Sequence, residues 1–359
     1  MAEENRKLKI AVIGCGGISR GAHLTGYSRM DNVEIVALCD IIKEKAEEQA
    51  AKYGIPAVYT DYHDVFNIPG LDAVDLCLPN ILHSKIAVEA LEHGLNVFCE
   101  KPDAVSVEEA ERMKAAAEKS GKLLMVMRNN RYRATSTYLK KFIEDGRMGE
   151  IYAGRCGWIR RRGVPGRGGW FTTKALSGGG PLIDLGVHMI DLAMWMMGNP
   201  HPVTVSGSTY RKFENSEVIN NKKRDGRDID KNGTFDVEDL AMGMIRFDNG
   251  ACLQIEFSWA SNIQEDCQFM ELRGTKAGCS WTAKGGLKLF GEEYGNNYDL
   301  IPDADDTKCV QMHEANLRHF ADVLLNGAKP MFVPQQGIDM IKILTAMYES
   351  AACGHEIQL

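Results

Sequence analysis

The chain has no apolar run near the ~20 residues that a membrane-spanning helix needs. Its opening, MAEENRKLKIAVIG, holds no apolar signal segment before the first strand-like run. The expectation is a cytoplasmic protein. Ten cysteines would suggest disulfides, yet no C-x-x-C pair occurs among them. Cys15, Cys39, Cys77, Cys99, Cys156 and Cys252 fall in strand-like runs and are expected as small core residues in a reducing compartment. No half of the chain is strongly basic, and the net charge of -7 gives no broad attraction to nucleic acid or an anionic membrane. No internal repeat or low-complexity tract is present. Small, neutral or anionic metabolites remain as partners.

What is there suits a globular protein of about two domains: 359 residues, 44% hydrophobic and 25% charged. From residue 7 to about 145, apolar strands (8–14, 34–40, 73–79, 95–102, 123–128) alternate with helical segments (to about 30, 43–54, 82–93, 106–119, 134–145). Continuous apolar strands point to a parallel sheet covered on both faces, a doubly wound α/β half. After Gly149 the strands lengthen and alternate, and Asn249-Gly250 marks a tight hairpin. This half reads as α+β with a mainly antiparallel sheet. Residues 211–235 are polar and read as a surface excursion with few core anchors. Two helices, each closed by glycine, end the chain from about 313.

Between the first strand and its helix lies GCGGIS, residues 14–19. A dinucleotide turn needs glycine for the tight bend and for close approach of backbone to a pyrophosphate at a helix N-terminus. Gly14 and Gly16 fill the first two places, with Gly17 and Ile18 beside them, and Ser19 stands where glycine or alanine is usual. Asp40 ends the second strand, where a carboxylate accepts hydrogen bonds from ribose hydroxyls. Ile41 and Ile42 follow, with no arginine for a 2'-phosphate, so NAD is expected rather than NADP. The alternative for Asp40 is an N-cap of helix 43–54.

CLPNILHSKIAVEALEHGLNVFCEKP (77–102), the glycine turn, and GGGPLIDLGVHMID (178–191) occur in one order. With them the chain resembles the Gfo/Idh/MocA oxidoreductases, the family of glucose-fructose oxidoreductase and inositol 2-dehydrogenase, from about residue 8 to the C-terminus. The resemblance implies an NAD-binding Rossmann domain over 1–128 and an α+β domain over 129–359. The latter would bind substrate and build a homo-dimer or tetramer through its open sheet. It also implies NAD(P)-linked chemistry at one hydroxyl of a sugar, glycoside or cyclitol held between the domains. Lys101 matches the lysine that lines the family's site, and Asp184 and His188 match its catalytic pair. Pro79, Asn80 and His83 match the loop beside the nicotinamide, Glu100 and Lys101 join the cofactor contacts, and a cis Lys101–Pro102 peptide is implied.

Oxidising an alcohol by hydride transfer requires a base for the hydroxyl proton and a positive group near the developing alkoxide. An imidazole, with an ordinary pKa near ~6.5, takes and returns a proton at cellular pH, so His188 is the expected base. Lys101 would stabilise the alkoxide, and Asp184 would orient the imidazole or bind a neighbouring hydroxyl. Asp184 and His188 at i and i+4 could instead be two metal ligands, but no third is evident, and no metal is expected. Arg160, Arg161, Arg162 and Arg167, with Trp158, Trp170 and Phe171, follow or end strand 151–162, whose alternation would split the arginines between two faces. Arg162, Trp170, Arg131 and Tyr132 are candidate substrate contacts, with Asn130 and Lys174 beside them. His313 and Asn316 read as helix-packing or capping residues.

On a helix at 100° per residue, Asp184, His188, Asp191 and Trp195 share one stripe. No lysine, arginine or glutamate lies between Pro181 and Met197, so the stripe is expected to line a partly buried cleft. Gly178 to Gly180 would leave room for cofactor or sugar at the backbone. Two alternatives to a dehydrogenase stand beside it. One is an enzyme that holds NAD tightly and uses transient oxidation for cleavage or epimerisation of a glycoside; the other is a nucleotide-binding regulatory protein without catalysis.

Overall fold

The computed structural model describes residues 6–216, 230, 232–308 and 310–359. The chain divides into two compact units, Met1–Tyr132 with Val310–Ile338, and Arg133–Cys309 with Asp339–Leu359. The expected division at residue 128 assigned the whole tail to the second domain, whereas the helix Met312–Asn326 belongs to the first unit. Its apolar face explains why: Leu317, Phe320 and Ala321 are buried in one core with Ile10, Leu24 and Phe98.

In the first unit, β1 (Leu8–Ile13), β2 (Val33–Cys39), β3 (Ala57–Tyr59), β4 (Ala73–Leu76), β5 (Asn96–Cys99) and β6 (Leu124–Val126) pair in parallel. Their order is β3-β2-β1-β4-β5-β6. The order reverses between β1 and β4, and ligands of such sheets bind outside the carboxyl ends of the strands at that switch. The three residues of β3 are half-buried at the sheet's edge, too short to show as an apolar run, and sequence reasoning passed over them. The helix after β1 is also shorter than expected. It opens as a π-helical turn, Ser19–His23, and continues only over Leu24–Tyr27.

The second unit holds one sheet of β7 (Ile151–Ile159), β8 (Pro202–Tyr210), β9 (Leu240–Phe247), β10 (Cys252–Ser258), β11 (Cys267–Gly274), β12 (Ala277–Thr282), β13 (Gly286–Glu293), β14 (Asn296–Leu300) and β15 (Ile357–Gln358). The order is β14-β13-β12-β11-β7-β10-β9-β8-β15, antiparallel throughout except for β7 with β10. The Asn249-Gly250 turn does join β9 to β10, with Gly250 at φ 84°. β7 stops at Ile159, so Arg160 to Arg162 lie beyond the strand and are not sorted by its alternation. Residues 217–229 and 231 of the polar excursion lie outside the described residues. Its flanks are anchored: the N–H groups of Lys212 and Phe213 donate to Asp239 at 2.6 Å, and Asp230 N–H donates to the Arg167 carbonyl.

All nine described cysteines are free thiols, and Cys15, Cys39, Cys77, Cys99 and Cys156 are buried as expected. No helix among the described residues is long and apolar enough to cross a membrane.

Gly14 is the tightest point of the first turn. Its φ is +98°, and a Cβ there would lie 2.3 Å from the Cys77 carbonyl oxygen, whereas Gly17 faces open space. Gly14→Ala is expected to cost at least ~2 kcal/mol in chemical denaturation, with Gly17→Ala within about 0.5 kcal/mol of the parent. Equal stabilities of the two variants would show that the turn is not so constrained.

Candidate active site

The cofactor turn is built by backbone. Gly16 and Gly17 have no neighbouring atom within 4 Å of an added Cβ, so the turn is an open cradle at the start of a helical segment. Asp40 closes it: its Oδ2 accepts the Cys15 N–H at 2.8 Å and its Oδ1 accepts the Ile42 N–H at 2.9 Å. The helix Lys43–Tyr53 starts from Ile42 with no side-chain cap, so Asp40 braces the glycine turn and is not its N-cap. Ser19, the departure from the usual third glycine, is fully buried and small enough to fit. Open glycines, free approach to the helix start and an acid at the end of β2 together suit a dinucleotide.

After β4 and β5 the sequence placed Pro79, Asn80, His83, Glu100 and Lys101 beside a cofactor. The structure buries three of these. His83 is fully buried, with Nδ1 2.7 Å from the Pro102 carbonyl and Nε2 2.9 Å from the Leu78 carbonyl. Burial lowers its pKa, so a neutral ring sits between the two loops and donates to one of them. Glu100 is buried as well, and its Oε2 accepts the Lys101 N–H. Asn80 is buried at the start of a short 3-10 turn capped by Pro79. Lys101 itself is half-buried at the carboxyl end of β5, in a cis peptide with Pro102.

The second motif lies in the second unit. Leu182–Gly186 forms a π-helical turn that runs into the α-helix Val187–Met196, a departure from the regular 100° spacing and one common at functional sites. Of residues 179–197, only Asp184 and His188 are not buried. The expected stripe of four is therefore a pair: Asp191 is 4% exposed and Trp195 8%. Asp184 Oδ2 accepts the Trp259 indole N–H at 3.0 Å, and the His188 ring lies 6.1 Å from that of Trp158. The glycines before this helix do not leave room for a ligand where their side chains are missing. A Cβ on Gly179 would lie 2.0 Å from the Tyr348 hydroxyl, and one on Gly180 2.1 Å from the Glu238 carbonyl.

These features have known counterparts. A family model described as "Oxidoreductase family, NAD-binding Rossmann fold" matches residues 8–128, and one described as "GFO/IDH/MocA C-terminal domain" matches 137–280. D-glucoside 3-dehydrogenase of Escherichia coli is 33% identical over 358 residues, 98% of this chain and 97% of that protein. The scyllo-inositol 2-dehydrogenase (NAD(+)) of Bacillus subtilis is 26% identical, covering 98% and 96%. A solved structure of levoglucosan dehydrogenase in complex with NADH shares the fold with a TM-score of 0.85, at 23% identity over 98% of this chain and 99% of that one. The chain belongs to the Gfo/Idh/MocA oxidoreductase family.

As a Gfo/Idh/MocA protein it is an NAD(P)-dependent dehydrogenase with an NAD-binding Rossmann fold. The softer candidates fare unevenly. Arg131 is 1% exposed and donates to the Met331 carbonyl at 2.6 Å and to Gln336 Oε1 at 3.1 Å, which ties it into the first unit's own packing. The Tyr132 ring lies tilted against that of His319, with centroids 5.7 Å apart. Asn316 accepts the Arg128 N–H at 2.8 Å and His313 meets Asn129, the packing roles expected of them. Arg162 bonds the carbonyls of Arg161 and Ser261 and lies over Phe213. Trp170 is half-buried and stacked on Phe171 at 3.8 Å. Arg160 is buried over Trp158.

Sequence reasoning missed His23. Its fully buried ring lies between two carboxylates, Nδ1 2.6 Å from Asp75 and Nε2 2.8 Å from Glu100. The signal was present: Asp75 is the one charged residue in the apolar run AVDLCLP, and a buried charge requires a partner. Burial alone would lower the pKa of His23, but the charges of Asp75 and its neighbours raise it well above the usual value. Burial likewise opposes ionisation of Glu100, and the His23 hydrogen bond and charge overcome it, bringing that pKa to about 2. Among the described residues, His23, Asp75 and Cys77 are the one group of three potential metal ligands, within 4.8 Å of one another. Both ring nitrogens are already matched by carboxylates, and burial, with the charge of Asp75, pushes the Cys77 thiol up to about 12, against the thiolate a metal needs.

Because the folded-state pKa of His23 is raised, the stabilisation from its charge is complete below about pH 6.5 and is lost as pH rises through the elevated value. His23→Gln leaves two buried carboxylates without their cation and is expected to lower the melting temperature by roughly 10 °C at neutral pH. The gap between parent and variant should narrow as pH is raised; a gap that is absent, or constant from neutral to alkaline pH, refutes the charged sandwich.

Proposed function

We propose that the protein oxidises, or reversibly reduces, a secondary hydroxyl of a sugar, glycoside or cyclitol, with NAD as its cofactor. The exposure pattern of the second motif carries this reading: in a buried helix only Asp184 and His188 reach the surface. The names of the relatives, a glucoside 3-dehydrogenase and an inositol 2-dehydrogenase, point to the same substrate class. The first unit would bind the cofactor through Gly14, Gly16, Gly17, Ile18 and Asp40, with Lys101 at its strand end. The second would bind substrate and, through the outer face of its sheet where Met242 and Phe290 are exposed, assemble a homo-oligomer.

Bound NAD supplies the hydride acceptor. The rest of the chemistry falls to side chains of this chain. The imidazole of His188 takes the hydroxyl proton as the carbonyl forms. The ammonium of Lys101 hydrogen-bonds the same oxygen and stabilises its negative charge. Asp184, fixed by Trp259, holds His188 in orientation or grips a neighbouring hydroxyl. Asp40 would accept the ribose hydroxyls and repel a 2'-phosphate, which favours NAD over NADP.

With a panel of methyl glucosides, free hexoses and inositols followed by nicotinamide absorbance, Lys101→Met and His188→Asn are each expected to lower kcat by ~10²-fold or more. NAD affinity of the His188→Asn variant, measured by calorimetry, should stay at the parent value. Near-parental turnover in either variant would remove that residue from the mechanism. Asp40→Ala should raise the KM for NAD about tenfold, the worth of one charge-assisted hydrogen bond, and raise relative use of NADP; an unchanged NAD to NADP ratio would count against Asp40 as the selector.

A further inference from the structure

We infer that Glu238, locked by Tyr348, is a positioning residue for the helix that carries Asp184 and His188, an inference that rests on the catalytic reading of that pair. The helix begins at a proline. Pro181 has no N–H, and no side chain of its own segment caps the start. The two donors that flank the proline go to one carboxylate: Gly180 N–H to Glu238 Oε2 at 2.9 Å and Leu182 N–H to Oε1 at 3.1 Å. The next two, Ile183 and Asp184, donate to the Gly180 carbonyl. Tyr348 then donates its hydroxyl to Glu238 Oε1 at 2.9 Å.

The glycine run is the socket for this clamp, since a side chain at Gly179 or Gly180 would strike Tyr348 or Glu238. The next residue adds a second hold. The Asp239 carbonyl accepts the Trp259 backbone N–H at 2.9 Å, and the Trp259 indole donates to Asp184 Oδ2. Glu238 and Asp239 thus fix, from one strand start, both the backbone of the helix and the carboxylate one turn into it. A local serine or aspartate would cap a helix more cheaply than a fully buried glutamate. Burial raises the pKa of Glu238, so its ionised form costs stability at neutral pH. An acid held at that cost is accounted for by the geometry it maintains.

Tyr348→Phe and Glu238→Gln change one hydrogen-bonding group each and are expected to fold, with melting temperatures lower by ~2–4 °C per bond lost. In protein labelled with ¹⁵N, the Trp259 indole signal should shift in both variants, and the Gly180 and Leu182 amides should exchange about tenfold faster, the equivalent of one lost hydrogen bond. With methyl D-glucoside and NAD, kcat should fall ~10-fold to 100-fold while the KM for NAD stays constant. Parental Trp259 signals and amide exchange in both variants would overturn the clamp; moved signals with parental kcat would reduce it to a structural cap. If the parent does not turn over methyl D-glucoside, the indole and amide readouts decide alone. His188→Asn, measured beside them, separates the two readings: activity retained there defeats the catalytic assignment while the indole and amide signals still report the clamp.

Discussion

The imidazole of His23, held between the carboxylates of Asp75 and Glu100, is the contact on which the first unit's site depends. It joins the helical segment after β1 to the ends of β4 and β5, the strands at which the sheet's order reverses. A carboxylate moved into a protein interior without a partner costs several kcal/mol, and here one cation serves two. Glu100, so held, accepts the N–H of Lys101, while the His83 ring lies between the carbonyls of Pro102 and Leu78. The lysine therefore leaves the sheet from a backbone braced by buried polar groups.

The second unit meets the same requirement with different chemistry. Where the first pairs opposite charges, the second sets the Glu238 carboxylate against backbone N–H groups at a helix start, whose dipoles favour a negative charge. The helical segment after the glycine turn and the one that carries Asp184 and His188 each contain a π-helical turn, Ser19–His23 and Leu182–Gly186. The demand common to both is that polar atoms near a reactive side chain be satisfied by the protein before any ligand arrives.

The parallel half was legible because its strands are nearly pure apolar runs and its turn carries glycine where the backbone meets the Cys77 carbonyl. The hairpin at Asn249-Gly250 was legible for a similar reason, since its conformation restricts residue choice. Edge strand β3 and strands β12 to β14 were not, because half-exposed strands hold mixed residues and take their pairing from neighbours far along the chain. The motif residues Lys101, Asp184 and His188 could be placed on their elements; whether Glu100 and His83 faced a ligand or the core could not, because both are polar and the difference lies in partners 77 and 19 residues away. The glycine run misled in the same way. It signals that something approaches the backbone, and the occupant is this chain's own Glu238 and Tyr348.

Asp184 shows what such partners can achieve. Its Oδ2 accepts the indole N–H of Trp259, a neutral donor that is itself fully buried. An arginine or lysine in that place would orient the carboxylate and cancel its charge at once. The indole orients that oxygen without adding a charge, and the helix from Pro181 to Met197 carries no lysine or arginine. The absence of lysine and arginine from this helix and the burial of Trp259 together keep the contact at Asp184 Oδ2 a neutral hydrogen bond.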